Sequence, residues 1–322
     1  MKKDFHEIIQ KFLPKKCSLV AAFSGGPDSV YLLEKLNKLN KTYKFKIIVA
    51  HFNHKLRGKD SENDLKFAEA TSKKHNLLFE CGAFDIKKYA KENKLNLEDA
   101  CRAKRYKFLE KIRKKHNAKA ILTAHHLDDN IETFFINLLR GSGIQGLKSM
   151  QIQNGFILRP LLYTSKEEIL DFLKRKKLKY RIDKSNYDKT FLRNEIRLDL
   201  IPAINKIQPK FKDVFIHTWN NINEINEFLD DEAAKWMAAN HQKNKLEFSR
   251  NNYLNLTAAV QTKIIQKIFQ TVHGSVIGLS KDLISRLTDH IKTLQTGKKA
   301  PFGKNHYLVL TKKTFKIVKY KA

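Results

Sequence analysis

The sequence predicts an α/β protein built on a doubly wound parallel sheet, followed by a smaller, mainly helical C-terminal domain with a strand hairpin. Three observations lead there. Over the first 160 residues, short β-rich runs alternate with segments whose apolar residues recur at helical spacing. The apolar run "LVAAF" passes through Ser24-Gly25-Gly26-Pro27-Asp28-Ser29 straight into leucines three and four apart. Beyond Lys206 the alternation stops and long amphipathic stretches take over. Strands separated by helices pair in parallel, and in such sheets ligands gather beyond the carboxyl ends of the strands.

Taken in order, the β-rich runs are 18–23, 45–52, 77–84, 118–124 and 156–162, each low in charge and bounded by polar segments. Between them, apolar 3/4 spacing predicts helices at 29–39, 61–75, 97–116 and 128–139. Past a boundary near Pro202 to Lys210, "FKDVFIHTWNNINEINEFLDDEAAKWMAA", "AAVQTKIIQKIFQTV" and "KDLISRLTDHIKTL" are helical patterns, and "HYLVLTKKTFKIVKY" reads as a hairpin. The expected division is therefore 1–205 and 206–322, with no internal repeat and no segment biased enough to be disordered.

A chain of 322 residues suits two domains. Nothing in it approaches the ~18 uncharged residues a membrane span requires, and no secretory leader opens it, so the expectation is a cytoplasmic protein with no membrane partner. Cys17, Cys81 and Cys101 are scattered without a C-x-x-C pair, which signals neither zinc nor a disulfide framework. Lys and Arg total 63 against 33 acidic residues, a formal +30, a field suited to a polyanion such as nucleic acid. Scattered lysines also serve as plain solvated surface, so the twelve arginines are more telling. Nine of them lie between Arg102 and Arg197, where a planar, permanently charged fork would meet phosphate or carboxylate.

The loop between the first strand and first helix is the sharpest local signal. Gly25 and Gly26 permit backbone angles closed to other residues and let amides approach a ligand. Pro27, which lacks a donor, suits the first helical turn. Amides there converge on an anion with the helix dipole behind them, and the Ser24 and Ser29 hydroxyls add donors, so a phosphate or pyrophosphate fits. A tight turn capped by an aspartate is the structural alternative. No lysine follows the glycines as in G-x-x-x-x-G-K-[ST], and the pattern is not G-x-G-x-x-G either.

S-G-G-x-D-S after a first strand resembles the PP-loop of the ATP pyrophosphatase superfamily. The resemblance implies ATP cleaved between its α- and β-phosphates, a loop that holds the pyrophosphate portion, and Asp28 helping to bind Mg2+. Four further stretches follow in order: "VAHFNHKLRG" from Val49, "EDACRAKRY" from Glu98, "TAHHLDDNIETFFINLLRGSGIQGL" from Thr123 and "RNEIRLDLIP" from Arg193. With the loop, they resemble the tRNA(Ile)-lysidine synthetase family across residues 15–205. That resemblance implies a homologous ligation in two steps. The C2 oxygen of the wobble cytidine, in the CAU anticodon of a minor isoleucine tRNA, takes AMP from ATP; the ε-amine of free L-lysine then displaces AMP and gives lysidine.

Residue chemistry runs parallel to this. Attack at the α-phosphorus builds charge on its oxygens and on departing pyrophosphate, which calls for magnesium and arginines. Arg102 and Arg105 are three apart on one helix face, and Arg105 matches the family arginine linked to catalysis. Arg193 and Arg197, four apart, make another basic face for substrate or tRNA phosphate. Asp129 and Glu132, three apart, present two carboxylates, which the family assigns to catalysis and to handling the cationic end of lysine. Ala50, His51 and His54 stand at the second strand end, where adenine would sit, with core packing as an equal alternative for the two histidines. His125 and His126 lack a third placed ligand and read as structural. Gly141, Gly143 and Gly146 suit a turning segment over a site, or a plain helix end. Ion pairing on helix surfaces is the alternative for each arginine pair.

The alternatives are a tRNA 2-thiolase of the same superfamily, a small-molecule amide synthetase and a nonenzymatic RNA-binding module. Thiolases use paired or clustered cysteines, an amide synthetase has no need of +30, and a binding module has no need of the loop together with the acid pair. A homodimer is among the assemblies this reading allows.

Overall fold

Val20 sits wholly buried between Ile48 on one neighbouring strand and Ile121 on the other, and that apolar centre is what the first domain is wound around. The computed structural model describes residues 3–54, 58–181, 192–240, 246–276, 278–293 and 296–320; residues 55–57 of the VAHFNHKLRG stretch lie outside them. The chain divides into two compact units, 1–220 and 221–322.

In the first unit α1 (Phe5–Phe12) precedes β1 (Ser18–Ala22), α2 (Pro27–Tyr43), β2 (Lys46–Asn53), α3 (Lys59–Lys74), β3 (Leu78–Ala83), α4 (Ile86–Glu92), α5 (Leu97–Lys115) and β4 (Ala120–Leu122). Then come α6 (Leu127–Leu139), the single turn α7 (Ile144–Leu147), the short hairpin β5 (Gln153–Asn154) and β6 (Ile157–Leu158), and α8 (Lys166–Arg175). Helix α9 (Leu192–Glu195) runs through a π-helical turn at Ile196–Leu200 into α10 (Ile201–Ile207). The sheet order is β3-β2-β1-β4-β6-β5, parallel except for the β5–β6 hairpin. Strands with apolar residues on both faces need cover on both, which the crossover helices supply. Leu19, Val49 and Leu122 face one layer with Leu33 and Leu36 of α2; Val20, Ile48 and Ile121 face Leu109 and Ile112 of α5.

The fifth β-rich run, expected over 156–162, pairs only at Ile157–Leu158. Pro160 has no N–H to give, and the Arg159 N–H bonds to the Ile152 carbonyl at 2.8 Å, closing the hairpin instead. One parallel bridge resumes at Leu161, opposite His126.

Helix α11 (Phe211–Asn240) contributes Phe215, Ile216 and Trp219 to the first core and Ala233 to the second. The second unit continues with β7 (Glu247–Ser249), α12 (Arg250–Leu254), α13 (Ala258–His273), α14 (Lys281–Lys292), β8 (Lys299–Pro301), β9 (His306–Leu310) and β10 (Thr314–Lys319). Its antiparallel sheet, in the order β7-β10-β9-β8, contains the expected hairpin as β9 and β10. Phe248, Phe302 and Phe315 are fully buried against Ile264 and Ile265. No helix among the described residues is long and apolar enough to cross a membrane.

Candidate active site

Parallel pairing runs one residue past β1, with the Phe23 N–H on the Ala50 carbonyl at 2.9 Å, and the chain then turns through Ser24 to Ser29. Gly25 adopts φ +85°, and a Cβ there would stand 3.2 Å from the Phe67 ring, so glycine is required for both conformation and space. Gly26 caps α2 and Pro27 opens it. The turn is cross-braced by hydroxyls: the Gly25 N–H donates to Ser29 Oγ at 3.1 Å, Gly26 N–H to Ser24 Oγ at 3.3 Å, and Ser29 Oγ to the Gly26 carbonyl at 2.9 Å. The amides and hydroxyls that the sequence offers to an anion are thus engaged with one another in this small loop.

Beside the loop lies a cavity of about 560 Å³. Ser24, Asp28 and Ser29 line one part of it, Ala50, His51 and His54 another, and Arg105, Tyr106, His125 and Asp129 a third. It opens at the carboxyl ends of β1, β2 and β4, where the sheet order reverses, the place where doubly wound sheets bind ligands. The His51 Nδ1 lies 2.9 Å from the Phe23 carbonyl, an acceptor only, so that nitrogen carries the proton and Nε2 is left as an acceptor. Burial holds its pKa below the ordinary histidine value.

Asp28 and Asp129 are linked through one imidazole. His126 Nε2 is 3.6 Å from Asp28 Oδ1 and 3.5 Å from Asp129 Oδ2, while the His126 backbone N–H donates to Asp129 Oδ2 at 3.0 Å. Burial would raise the Asp129 pKa, but His126, His125 and Arg193 outweigh it and hold the carboxyl below its usual range. Burial pushes His125 down to about 3, so it is neutral at physiological pH.

Glu132 has no solvent exposure and does not line the cavity. Arg197 grips it with both nitrogens, Nε to Oε1 at 2.6 Å and Nη2 to Oε2 at 3.0 Å, and Arg193 Nε stands 3.4 Å from Oε2. The same Arg197 reaches to 3.9 Å from Asp129 Oδ1, which ties this cluster to the cavity wall. Burial pushes the Glu132 carboxyl above its ordinary value against the pull of Arg197. Arg102 is exposed and lies outside the cavity lining; its guanidinium and that of Arg105 lie 5.0 and 5.7 Å from the Tyr106 ring centre.

Several residues that the motif reading passed over also hold the site. Asp64, buried on α3, lines the cavity and accepts from Arg181 Nε at 2.9 Å, while the Arg181 N–H bonds the Gly25 carbonyl at 2.9 Å. Lys166 Nζ lies 2.5 Å from Asp28 Oδ1. No signal in the local pattern marks these, because their partners lie more than a hundred positions away.

Among the described residues, no three His, Cys, Asp or Glu side chains form a metal cage. Asp28 and Asp129 do fit the role of the one or two carboxylates that magnesium takes alongside nucleotide phosphates.

Residues 1–204 match the PP-loop domain family. The chain belongs to that family. As a PP-loop protein it is similar to a tRNA(Ile)-lysidine synthase of Thermosipho africanus, 39% identical over 213 residues that cover 66% of this chain and 50% of that protein. It is 32% identical to one from Clostridium tetani over 288 residues, 88% of this chain and 61% of the relative. A third, from Bacteroides thetaiotaomicron, is 37% identical over 70% of this chain and 52% of its own length. The chain thus spans half to about three fifths of the length of these relatives. A U34-tRNA thiolase from Methanococcus maripaludis shares the PP-loop fold at a TM-score of 0.57 and 19% identity, covering 68% of this chain and 77% of that one.

Proposed function

We propose that this PP-loop protein is an ATP-dependent, tRNA-modifying ligase. It adenylates the wobble cytidine in the CAU anticodon of tRNA(Ile) and joins L-lysine to C2, giving lysidine, AMP and pyrophosphate. The observation that carries this reading is the convergence of Asp28, Arg105 and Asp129 on one cavity beside the SGGPDS loop. It occurs in a chain 32–39% identical to proteins named tRNA(Ile)-lysidine synthase.

The loop from Ser24 to Ser29 grips the β- and γ-phosphates through amides and hydroxyls, and Ala50, His51 and His54 border the base, with His51 Nε2 as an acceptor. Arg105 faces the α-phosphate, where negative charge grows as the cytidine oxygen attacks and the bond to pyrophosphate breaks. Asp28, with Asp129 nearby, would hold magnesium, which would neutralise charge on the phosphates. In the second step a carboxylate attracts the lysine ammonium and takes its proton; the freed amine forms the N–C2 bond as the C2–O bond to AMP breaks. Asp129 does this work directly, and Glu132 supports it from behind. Their carboxyls, three residues apart, are pushed in opposite directions, Asp129 down and Glu132 up, which is how paired carboxylates acquire different roles. Asp129 meets the substrate at the cavity, and Glu132 acts with Arg197 and Arg193 behind it. Arg102 and the basic surface from residue 206 onward contact tRNA phosphates, consistent with the formal +30. The protein works in the cytoplasm.

Pyrophosphate release from ATP, followed with and without tRNA, tests the reading. Release that requires tRNA with a CAU anticodon is the expected result. Release at the same rate with no RNA present overturns it.

A further inference from the structure

The loop has the glycines, hydroxyls and aspartate of a polyphosphate site but no lysine, and the next lysine along α2 is Lys35, well down the helix. We infer that Lys166, from the start of α8, supplies the missing cation and binds the β- or γ-phosphate. This rests on the reading that the cavity takes ATP.

The placement is built from both ends. Lys166 Nζ sits 2.5 Å from Asp28 Oδ1 across 138 positions of sequence. Its own backbone N–H donates to Asp128 Oδ2 at 2.7 Å, and Asp128 is held in turn by Lys212 Nζ at 2.9 Å. A capping box fixes the helix start, with Glu168 N–H on Ser165 Oγ at 3.1 Å and Ser165 N–H on Glu168 Oε2 at 2.7 Å. The root of the side chain is therefore anchored one residue from Asp129, and its tip lies on the loop. Side-chain exposures of 34% for Lys166 and 29% for Asp28 keep the pair out of the core; Asp28 lines the cavity, and Lys166 reaches it from just outside the lining. An ammonium there needs only a small swing of a flexible stem to exchange a carboxylate oxygen for a phosphate oxygen. The Lys166 and His126 contacts both fall on Oδ1, so the lysine and a metal can use different oxygens of Asp28.

A purely structural ion pair would dock α8 and nothing more. Calorimetric titration of the full chain separates the two, with inorganic pyrophosphate and AMP as separate probes, each with and without magnesium. Lys166→Met should weaken pyrophosphate binding by ~10-fold or more in both conditions and change AMP binding by less than about 2-fold, with Lys166→Arg recovering most of the loss. The magnesium-free arm excludes an effect relayed through metal on Asp28. Should Lys166→Met fail to fold, Lys166→Gln carries the same comparison. Pyrophosphate binding equal to wild type, or equal losses for pyrophosphate and AMP, overturns the role of Lys166 alone. Wild-type chain that binds neither AMP nor pyrophosphate overturns the ATP reading and this inference together.

Discussion

Both units of this protein bury charge, and they do so in opposite ways. In the second unit, Arg250 is 6% exposed and spends its guanidinium on three carbonyls at the end of α14, those of Ile291, Lys292 and Thr293 at 2.7, 2.8 and 3.3 Å. Lys263, 3% exposed, meets Asp230 at 3.2 Å and Asn226 at 3.3 Å. Each cation there faces acceptors supplied by its own fold. In the first unit, Asp28, Asp129 and Arg105 are half-buried and line a cavity, while Glu132 is fully buried and clasped by Arg197 behind them. Charge buried among acceptors from its own fold marks architecture; charge left half-buried at the carboxyl ends of strands, beside an open volume, marks chemistry.

Asp28→Ala breaks the comparison most sharply. AMP and pyrophosphate formation should fall on the order of 1000-fold, several kcal/mol of transition-state stabilisation, while stability changes by no more than about 1 kcal/mol. Rate assays beside denaturant melts check both halves. Glu132→Gln comes next. It keeps shape but removes the charge facing Arg197 and Arg193, so single-turnover lysine incorporation should drop ~100-fold while pyrophosphate release continues. An equal drop in both steps would place Glu132 with the ATP site.

Arg250→Met should do the reverse of Asp28→Ala. It leaves α14 carbonyls without donors, at a cost of about 2–4 kcal/mol in the second unit, and leaves AMP binding by the first unit intact. Hydrogen exchange resolved by region reads this directly. The smallest effect is on pH dependence. His125 is held near 3 by burial, against an unfolded value near 6.5, so the unfolded chain takes up the proton first. Its contribution is complete above pH 6.5 and is lost as pH falls toward 3, about 1 kcal/mol between pH 7 and 5.5. His125→Asn should remove that slope from the exchange of β1 and β4 amides.

What the sequence made legible was local. The Ser24–Ser29 loop, four of the strands and the helices between them follow from periodicity and glycine chemistry, because each depends on residues within a turn or two. The acid pair and both arginine pairs were legible as spacings. Their partners were not: the grip of Arg197 on Glu132 spans 65 positions and that of Lys166 on Asp28 spans 138, and no periodic pattern encodes either. Helix α8 did carry a usable signal, the capping box Ser165-Lys166-Glu167-Glu168 ahead of Ile169 and Leu173, beneath a lysine-rich end that reads as solvated surface. His126 looked structural beside His125, and only the fold shows it standing between two carboxylates.

On the proposed function, the cavity's chemistry ends in a carbon–nitrogen bond on a tRNA base. Mass analysis of nucleosides from tRNA incubated with the protein, ATP and L-lysine tests it most directly. A cytidine heavier by one lysine residue is expected, formed only when ATP is present and absent with Asp28→Ala. A sulfur-bearing base, or tRNA left unmodified while ATP is consumed, would contradict it.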